Sequence, residues 1–364
     1  MSADADRRFM ALALTLAARG LGNVAPNPAV GCVIVQGSTI VGRGWTQPGG
    51  RPHAEAVALA QAGDLARGAT AYVTLEPCAH HGVTPPCAAA LIAAGVVRVV
   101  SGTTDPDARV SGRGHDLLRA HGVAVTEGVL EADAQDINTG FLSRVRRNRP
   151  WVTLKLALTL DGRIATASGA SRWITGPEAR RAVHMMRAHH DAVMVGIGTA
   201  LADDPDLTVR DLGITRQPVR IVMDSRIRLS ADSRLIRSIS HAPVWICHTG
   251  PLRAMPGARL IGCAANADGS INLADALGRL SDAGLTRVFC EGGARLAAGL
   301  LAAGLVDDLV TMTAGRVFGA AGMPSIAALD DIRLPSVPDF ALVETRKLGA
   351  DFMQRWRHIQ SVQS

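Results

Sequence analysis

The stretch from Pro52 to Cys87 constrains this chain most. It opens Pro52-His53-Ala54-Glu55 and closes Glu76-Pro77-Cys78-Ala79-His80-His81-Gly82-Val83-Thr84-Pro85-Pro86-Cys87. One imidazole and two thiolates can hold a zinc ion through three protein ligands and leave the fourth position for water. The candidate ligands are His53, Cys78 and Cys87. Glu55, two residues after the histidine, stays outside the ligand set and is free to move protons. The hydrophobic pattern suits such a site. His53 stands before the apolar helical run Ala56 to Ala62. Pro77-Cys78 follows the strand-like run Ala71 to Leu75, and Pro85-Pro86-Cys87 precedes the helical run Ala88 to Ala93. Both cysteines thus fall near expected helix starts, where the dipole favours a thiolate.

Each piece alone is weak. His-x-Glu occurs by chance in many helices, and two cysteines in a reduced protein are usually small buried apolar residues. Together and in these settings they form the His-x-Glu, Pro-Cys, Cys arrangement of zinc deaminases. The spacing departs from the general pattern: eight residues lie between Cys78 and Cys87 rather than two.

A length of 364 residues suggests two domains or three, and 48% hydrophobic residues is ample for buried cores. No apolar run reaches membrane-spanning length; Ala11 to Ala18 is too short and has no cleavage-site context. Six irregularly spaced cysteines do not make a secreted disulfide framework. Cys32, Cys247, Cys263 and Cys290 read as buried or incidental thiols, and a cytoplasmic location is the default expectation. The net charge of +6 is uneven. Residues 1–148 hold 13 basic and 12 acidic side chains, which leaves 25 and 20 for residues 149–364. Aromatics are only 3% and the basic residues are scattered, so phosphorylated small molecules fit better than nucleic acid or a membrane.

Along the chain, Asp6 to Ala18 reads as an amphipathic helix. Pro26-Asn27-Pro28 holds Asn27 in a stiff, extended loop. Ala29 to Gln36 and Thr39 to Trp45 form a hairpin turned near Gly37-Ser38. The metal helix, a strand (69–75), the cysteine loop, a helix and a strand (96–101) follow. This order predicts a three-layer α/β domain with a mixed sheet. Asp105 to Gly114 is a loop at a strand's carboxyl end, where open α/β sheets bind ligands. A helix over 115–121 and a strand over 123–126 are expected to complete the domain. The basic stretch Arg144 to Pro150 marks the boundary, giving domains 1–148 and 149–364. The second domain restarts with a strand at Trp151 to Leu158. Thr175-Gly176-Pro177-Glu178 reads as a helix start. Further strands are expected at 192–195, 219–223 and 287–290. Gly196-x-Gly198 lacks the third glycine of a Rossmann fingerprint. Glu291-Gly292-Gly293, between a strand and a helix, can offer amides to a phosphate, although taken alone it reads first as tight packing of that helix on the sheet. Lys155 is one of only two lysines and falls on a buried strand.

At this point the chain resembles a known family, the bifunctional riboflavin-biosynthesis RibD proteins, in which a pyrimidine deaminase is fused to a pyrimidine reductase. In the first half the likeness rests on Pro26-Asn27-Pro28-x-Val30-Gly31, His53-Ala54-Glu55, Thr74-Leu75-Glu76-Pro77-Cys78, Thr84-Pro85-Pro86-Cys87 and Asp105-Pro106. In the second half it rests on Leu154-Lys155-Leu156-Ala157, Leu160-Asp161-Gly162-Arg163, Trp173-Ile174-Thr175, Asp203-Asp204-Pro205-x-Leu207-Thr208-x-Arg210 and Glu291-Gly292-Gly293. The long loop ending Thr-Pro-Pro-Cys accounts for the cysteine spacing.

The resemblance implies a cytidine-deaminase-like three-layer α/β/α domain followed by a dihydrofolate-reductase-like α/β domain. It implies zinc-dependent hydrolysis of the 2-amino group of 2,5-diamino-6-ribosylamino-4(3H)-pyrimidinone 5′-phosphate, then reduction of the ribosyl side chain by NADPH. By motif, Glu55 moves protons at a zinc held by His53, Cys78 and Cys87, while Asn27 and Asp105 meet the deaminase substrate. Ala157, Trp173, Thr199, Asp203, Ser225 and Gly293 would contact NADPH. Ser171, Arg187, Leu207, Arg210 and Glu291 would contact the reductase substrate, the two arginines suiting a phosphate. A homo-oligomer is expected. Relatives usually carry Lys or Arg where this chain has Val83, and Asn where it has Asp107; either Arg109, Arg113 or His81 takes over the substrate phosphate, or the first domain binds this substrate weakly or prefers a different one. Two other classes stay open: a nucleic-acid deaminase of the tRNA type, and a non-catalytic zinc-stabilised binding protein.

Overall fold

The computed structural model describes residues 2–79, 85–106, 111–170, 174–250, 253–329 and 338–359. The chain divides into two compact units, Met1–Arg147 and Asn148–Ser364. Among the described residues no helix is long and apolar enough to cross a membrane.

In the first unit, α1 (Ala3–Ala17) starts at Ser2, whose side chain accepts from the Ala5 N–H. The order then runs β1 (Gly31–Gln36), β2 (Thr39–Trp45), α2 (Ala54–Ala62), β3 (Thr70–Val73), α3 (Cys87–Ala93), β4 (Arg98–Ser101), α4 (Arg113–Ala120), β5 (Ala124–Thr126), α5 (Glu131–Ile137) and α6 (Thr139–Arg147). The sheet order is β2-β1-β3-β4-β5. β1 is antiparallel to both β2 and β3, while β3, β4 and β5 are parallel. Alternating residues of β1 separate two cores. Cys32 and Ile34 pack under α2, α3 and α4 with Ala58, Leu91 and Leu118. Val33 and Val35 pack under α1 and α5 with Met10, Ala13 and Ala134. These are the three layers expected from the sequence. The strand over 123–126 does not complete the unit, however: α5 and α6 follow it, and Asn138 between them ties back to Ala29 through both its Oδ1 and Nδ2.

Two glycines set how closely the metal helix lies on this sheet. A Cβ on Gly42 would sit 2.2 Å from the Ala58 carbonyl oxygen, and one on Gly44 would sit 2.1 Å from that of Ala54. Only bare backbone lets α2 approach β2 so closely, and His53 and Glu55 ride on that helix.

In the second unit the order is β6 (Trp151–Thr159), β7 (Arg163–Ala165), α7 (Pro177–Ala188), β8 (Ala192–Gly196), α8 (Ile197–Asp203), β9 (Val219–Met223), α9 (Arg234–Arg237), β10 (Val244–His248), β11 (Arg259–Gly262), α10 (Leu273–Asp282), β12 (Arg287–Gly292), α11 (Ala294–Ala302), β13 (Asp308–Ala314), β14 (Met323–Pro324), β15 (Phe340–Leu348) and β16 (Asp351–His358). The main sheet runs β11-β10-β9-β8-β12-β6-β13-β16-β15. Its strands are parallel from β11 through β13, and β16 and β15 close it as an antiparallel hairpin. Apolar cores lie on both faces, one with α10 and α11, the other with α7 and α9. Gly176 caps α7 with Pro177 next, as the sequence predicts, and its N–H donates to Asp351 Oδ2 of the terminal hairpin at 2.6 Å.

Gly42→Ala should lift α2 from β2. Overpacking of this kind costs about 1–3 kcal/mol. Chemical denaturation followed in the first unit measures it; unchanged stability with full zinc loading would show that the close approach is dispensable.

Candidate active sites

The metal-type cluster of the first unit is assembled from three elements. His53 is the residue that precedes α2, Cys78 lies in the loop after β3, and Cys87 is the first residue of α3. The sequence reading placed both cysteines near helix starts. Among the described residues only Cys87 begins a helix; Cys78 reaches the same helix end by accepting the Cys87 N–H at its sulfur, 3.3 Å away. The Ala88 N–H adds a bond to the Cys78 carbonyl.

His53 Nδ1 lies 3.3 Å from Cys87 Sγ and 3.8 Å from Cys78 Sγ, and all three ligating atoms fall within 4.8 Å of one another. Ligand atoms of a tetrahedral zinc stand about 3.5–3.8 Å apart. The three residues therefore fit zinc with little rearrangement. The Cys78 thiol is held down to about 4, first by its hydrogen bond with Cys87 and then by His53. Cys87 is pushed up by sharing that proton and by burial. A divalent cation replaces the shared proton and leaves both sulfurs as thiolates.

Glu55 is 4% exposed. Burial, then the charge on Cys78, pushes its carboxyl up to about 7. A cation held by the three ligands opposes that shift. A buried carboxyl poised near neutrality beside a metal can both take and return a proton. Asn27 is half-buried in the loop before β1, and Asp105 is half-buried just beyond β4. Val83, Asp107, Arg109 and His81 lie outside the described residues. Arg113 is exposed at the start of α4.

The second unit holds a cleft of about 1320 Å³ at the carboxyl ends of β6, β8, β9 and β12. Ala157, Thr199, Asp203, Ser225, Gly293, Arg187, Arg210 and Glu291 all line it. Leu207 does not; its side chain is buried in the core under α7, and its backbone has φ of 55°. Ser171 and Trp173 lie outside the described residues. Lys155, expected near the substrate sugar, also lines the cleft, as does His184, which the sequence does not single out.

An ion-pair network organises one end. Arg187 Nε and Nη2 donate to the two Glu291 oxygens at 2.5 and 3.0 Å, and Nη1 donates to the Thr208 carbonyl at 2.8 Å. Burial pushes the Glu291 carboxyl up, but Arg187 and Lys155 outweigh it and hold it below the usual range. Desolvation lowers the Lys155 ammonium pKa, with Glu291 opposing. His184 is lowered by burial and by the charges of Arg187 and Arg210. The sequence could have found His184 and Arg187 together, since a spacing of three puts them on one helix face.

At the other end, Gly292 and Gly293 take φ of 57° and 126° before α11. A Cβ on Gly293 would meet Thr199 Oγ1 at 2.7 Å, and that hydroxyl donates to the Gly292 carbonyl at 2.7 Å. Bare backbone beside a helix N-terminus is suited to a dinucleotide's phosphates, so this cradle and the size of the cleft fit NADPH.

Two family models match the chain. The cytidine and deoxycytidylate deaminase zinc-binding region covers residues 3–103, and the RibD C-terminal domain covers residues 150–353. The riboflavin biosynthesis protein RibD of Escherichia coli (strain K12) is 42% identical over 361 residues, covering 95% of this chain and 97% of the relative. That of Haemophilus influenzae is 43% identical, covering 95% of each. The solved structure of Acinetobacter baumannii RibD is 38% identical with a TM-score of 0.89, over 99% of this chain and 100% of that one. A diaminohydroxyphosphoribosylaminopyrimidine deaminase/5-amino-6-(5-phosphoribosylamino)uracil reductase from Thermotoga maritima is 35% identical with a TM-score of 0.87, over 98% and 99%. The cytidine-deaminase-like first unit and dihydrofolate-reductase-like second unit agree with these matches.

Glu291→Gln keeps the shape but strands the charges of Arg187 and Lys155 in a largely buried site. Breaking such a pair costs about 3–5 kcal/mol. Urea unfolding of the second unit should show the loss; a change below about 1 kcal/mol, the scale of an exposed pair, would mean that solvent already screens the network.

Proposed function

The chain belongs to the RibD family, the bifunctional deaminase–reductases of riboflavin biosynthesis, and from that premise we propose its substrates and the roles of its residues. The first unit deaminates 2,5-diamino-6-ribosylamino-4(3H)-pyrimidinone 5′-phosphate. The second reduces the ribosyl side chain of the product, giving 5-amino-6-ribitylamino-2,4(1H,3H)-pyrimidinedione 5′-phosphate. The observation that carries this reading is the His53, Cys78 and Cys87 cluster with Glu55 buried beside it outside the ligand set. A purely structural metal site has no use for a proton carrier.

His53, Cys78 and Cys87 hold the zinc, which when bound makes water acidic enough to serve as a nucleophile near neutral pH. As water adds to the ring carbon, the Glu55 carboxylate would take its first proton and deliver it to the ring nitrogen. It would then take the remaining hydroxyl proton and pass it to the amino group, which leaves as ammonia while the carbonyl forms, so one carboxylate serves every transfer. Asn27 hydrogen-bonds the pyrimidine, and Asp105 faces it from the β4 end.

In the second unit NADPH supplies hydride chemistry. Ala157, Thr199, Asp203, Ser225 and Gly293 seat the cofactor, joined by Trp173. Arg187, Arg210 and Glu291 hold the substrate with Ser171, while Leu207, buried in the core beneath α7, shapes the chain between them. Arg187 is already fixed by Glu291 and Thr208, so it meets a phosphate without first being ordered, which lowers the entropic cost of binding. Lys155, desolvated beside Glu291, sits where charge develops on the sugar. The thiols are free among the described residues, in keeping with a cytoplasmic location. The chain is a homo-oligomer on this reading: β15 is an edge strand, and Leu342, Val343 and Phe352 stand 50%, 44% and 43% exposed on it and its neighbour. Light scattering should return a multiple of the 38.0 kDa chain mass, and a strictly monomeric mass removes this point.

Incubation with the diaminopyrimidine nucleotide, followed by mass analysis, should show loss of one amino group without NADPH. With NADPH the product should gain two hydrogens as well. Glu55→Ala should keep zinc and lose deamination, while reduction of pre-deaminated substrate persists. An empty metal site in this variant, or loss of both activities, would contradict the role given to Glu55.

A further inference from the structure

The carboxylate next to the metal loop has a contact set that the mechanism above does not use. Glu76 is 3% exposed, one residue short of Pro77-Cys78. Its Oε2 accepts the Asp105 N–H at 3.2 Å and the Gly112 N–H at 3.0 Å. Its Oε1 accepts the Gly114 N–H at 2.8 Å. Its own N–H donates to the Thr103 carbonyl at 2.9 Å. We infer that Glu76 is a positioning residue for deamination, which fixes Asp105 and the start of α4 against the loop that carries Cys78.

Four features support this. The donors lie on both sides of one segment, Asp105 before it and Gly112 after it, and both converge on a single oxygen. One carboxylate therefore sets where both ends lie. The link from Glu76 to the ligand Cys78 is a single proline, whose φ is fixed, so the two side chains share a rigid base. The packing on the far side is tight as well: a Cβ on Gly114 would lie 1.9 Å from the Pro77 carbonyl oxygen. The α4 start thus cannot shift without moving Pro77. Gly112 and Gly114 are also at the positive end of α4, where an anionic oxygen is favoured.

The chemistry singles out glutamate over glutamine. Three N–H groups point at this side chain, so both of its terminal atoms must accept. A glutamine supplies one acceptor and turns an NH2 toward at least one backbone donor. A buried donor left without an acceptor loses its hydrogen bond and its water.

The inference rests on the proposed role of Asp105 at the substrate. The test uses the zinc-loaded full-length protein. Glu76→Gln should raise the KM for the pyrimidine nucleotide about tenfold, on the scale of one lost buried hydrogen bond. Zinc per chain and the reductase rate should match the unaltered protein. Hydrogen exchange should quicken at the Asp105, Gly112 and Gly114 amides. Asp105→Ala should also raise KM, and the double variant should be no worse than the worse single variant, because one residue acts through the other. An additive double variant, an unchanged KM in Glu76→Gln, or loss of zinc from it would each overturn the inference. A silent Asp105→Ala in an active protein removes the role of Asp105 and the inference with it. An unaltered protein that does not turn over the nucleotide removes the substrate reading itself, whereas an additive cycle in an active protein overturns the inference alone.

Discussion

Parallel pairing brings the carboxyl ends of neighbouring strands to one edge, and both sites depend on that constraint. In the first unit β3 and β4 end side by side; β3 leads into Cys78 and β4 into Asp105. In the second, β6, β8, β9 and β12 bring Ala157, Gly196, Ser225 and Glu291 to one cleft. None of these residues is near its partners in sequence. Ligands of open α/β sheets bind at this edge because helices start there and loops can diverge there without unpairing the ladder.

Buried carboxylates are settled in two ways. Glu291 is matched by Arg187, Asp307 by Arg149 at 2.6 Å together with the Val152 N–H, and Asp6 by Arg98 at 2.7 Å. Glu76 is satisfied by backbone donors. Backbone N–H groups bring no charge of their own, so a metal site can keep its field set by ligands and ion. A row of Ser101, His115 and Glu127, with a 3.0 Å hydrogen bond between the first two and a 3.1 Å contact between His115 Nδ1 and Glu127, has the look of a nucleophilic relay. Ser101 is 0% exposed, so no substrate reaches it, and the row braces β4 against α4.

Much of this was legible in the sequence where local rules decide. The hairpin of β1 and β2 and the strand at 219–223 follow from alternation or a short apolar run between turn residues. The helix expected over 115–121 runs Arg113–Ala120, an offset of two residues at its start. The terminal strands β15 and β16 were not legible. Apolar and polar residues are mixed among the exposed positions of β15, Leu342 and Val343 with Thr345, Arg346 and Lys347, so the strand shows little burial and no clear hydrophobic period. The clasp on Glu76 was hidden for another reason: its donors are main-chain groups nearly 30 to 38 residues away, and backbone donors carry no residue signature. Asp6 was hidden by distance instead: it accepts from the Tyr72 hydroxyl and the Arg98 guanidinium, 66 and 92 residues away across the sheet.

The distribution of residues between units has a consequence for how the two chemistries are joined. His53, Glu55, Cys78, Cys87 and Asp105 all belong to the first unit, and every described residue of the cleft belongs to the second. The charge follows the same division, since the basic excess is concentrated beyond residue 148. On the proposed reading, a phosphorylated substrate would meet Arg187, braced by Glu291 and the Thr208 carbonyl, and Arg210, held by Asp206 and the Thr208 hydroxyl. The first unit has no such excess, so on the same reading its grip would come from few, well-placed groups. Where charge is scarce, geometry weighs more than net field, and a carboxylate such as Glu76, which takes three backbone bonds, can matter as much as a charge would.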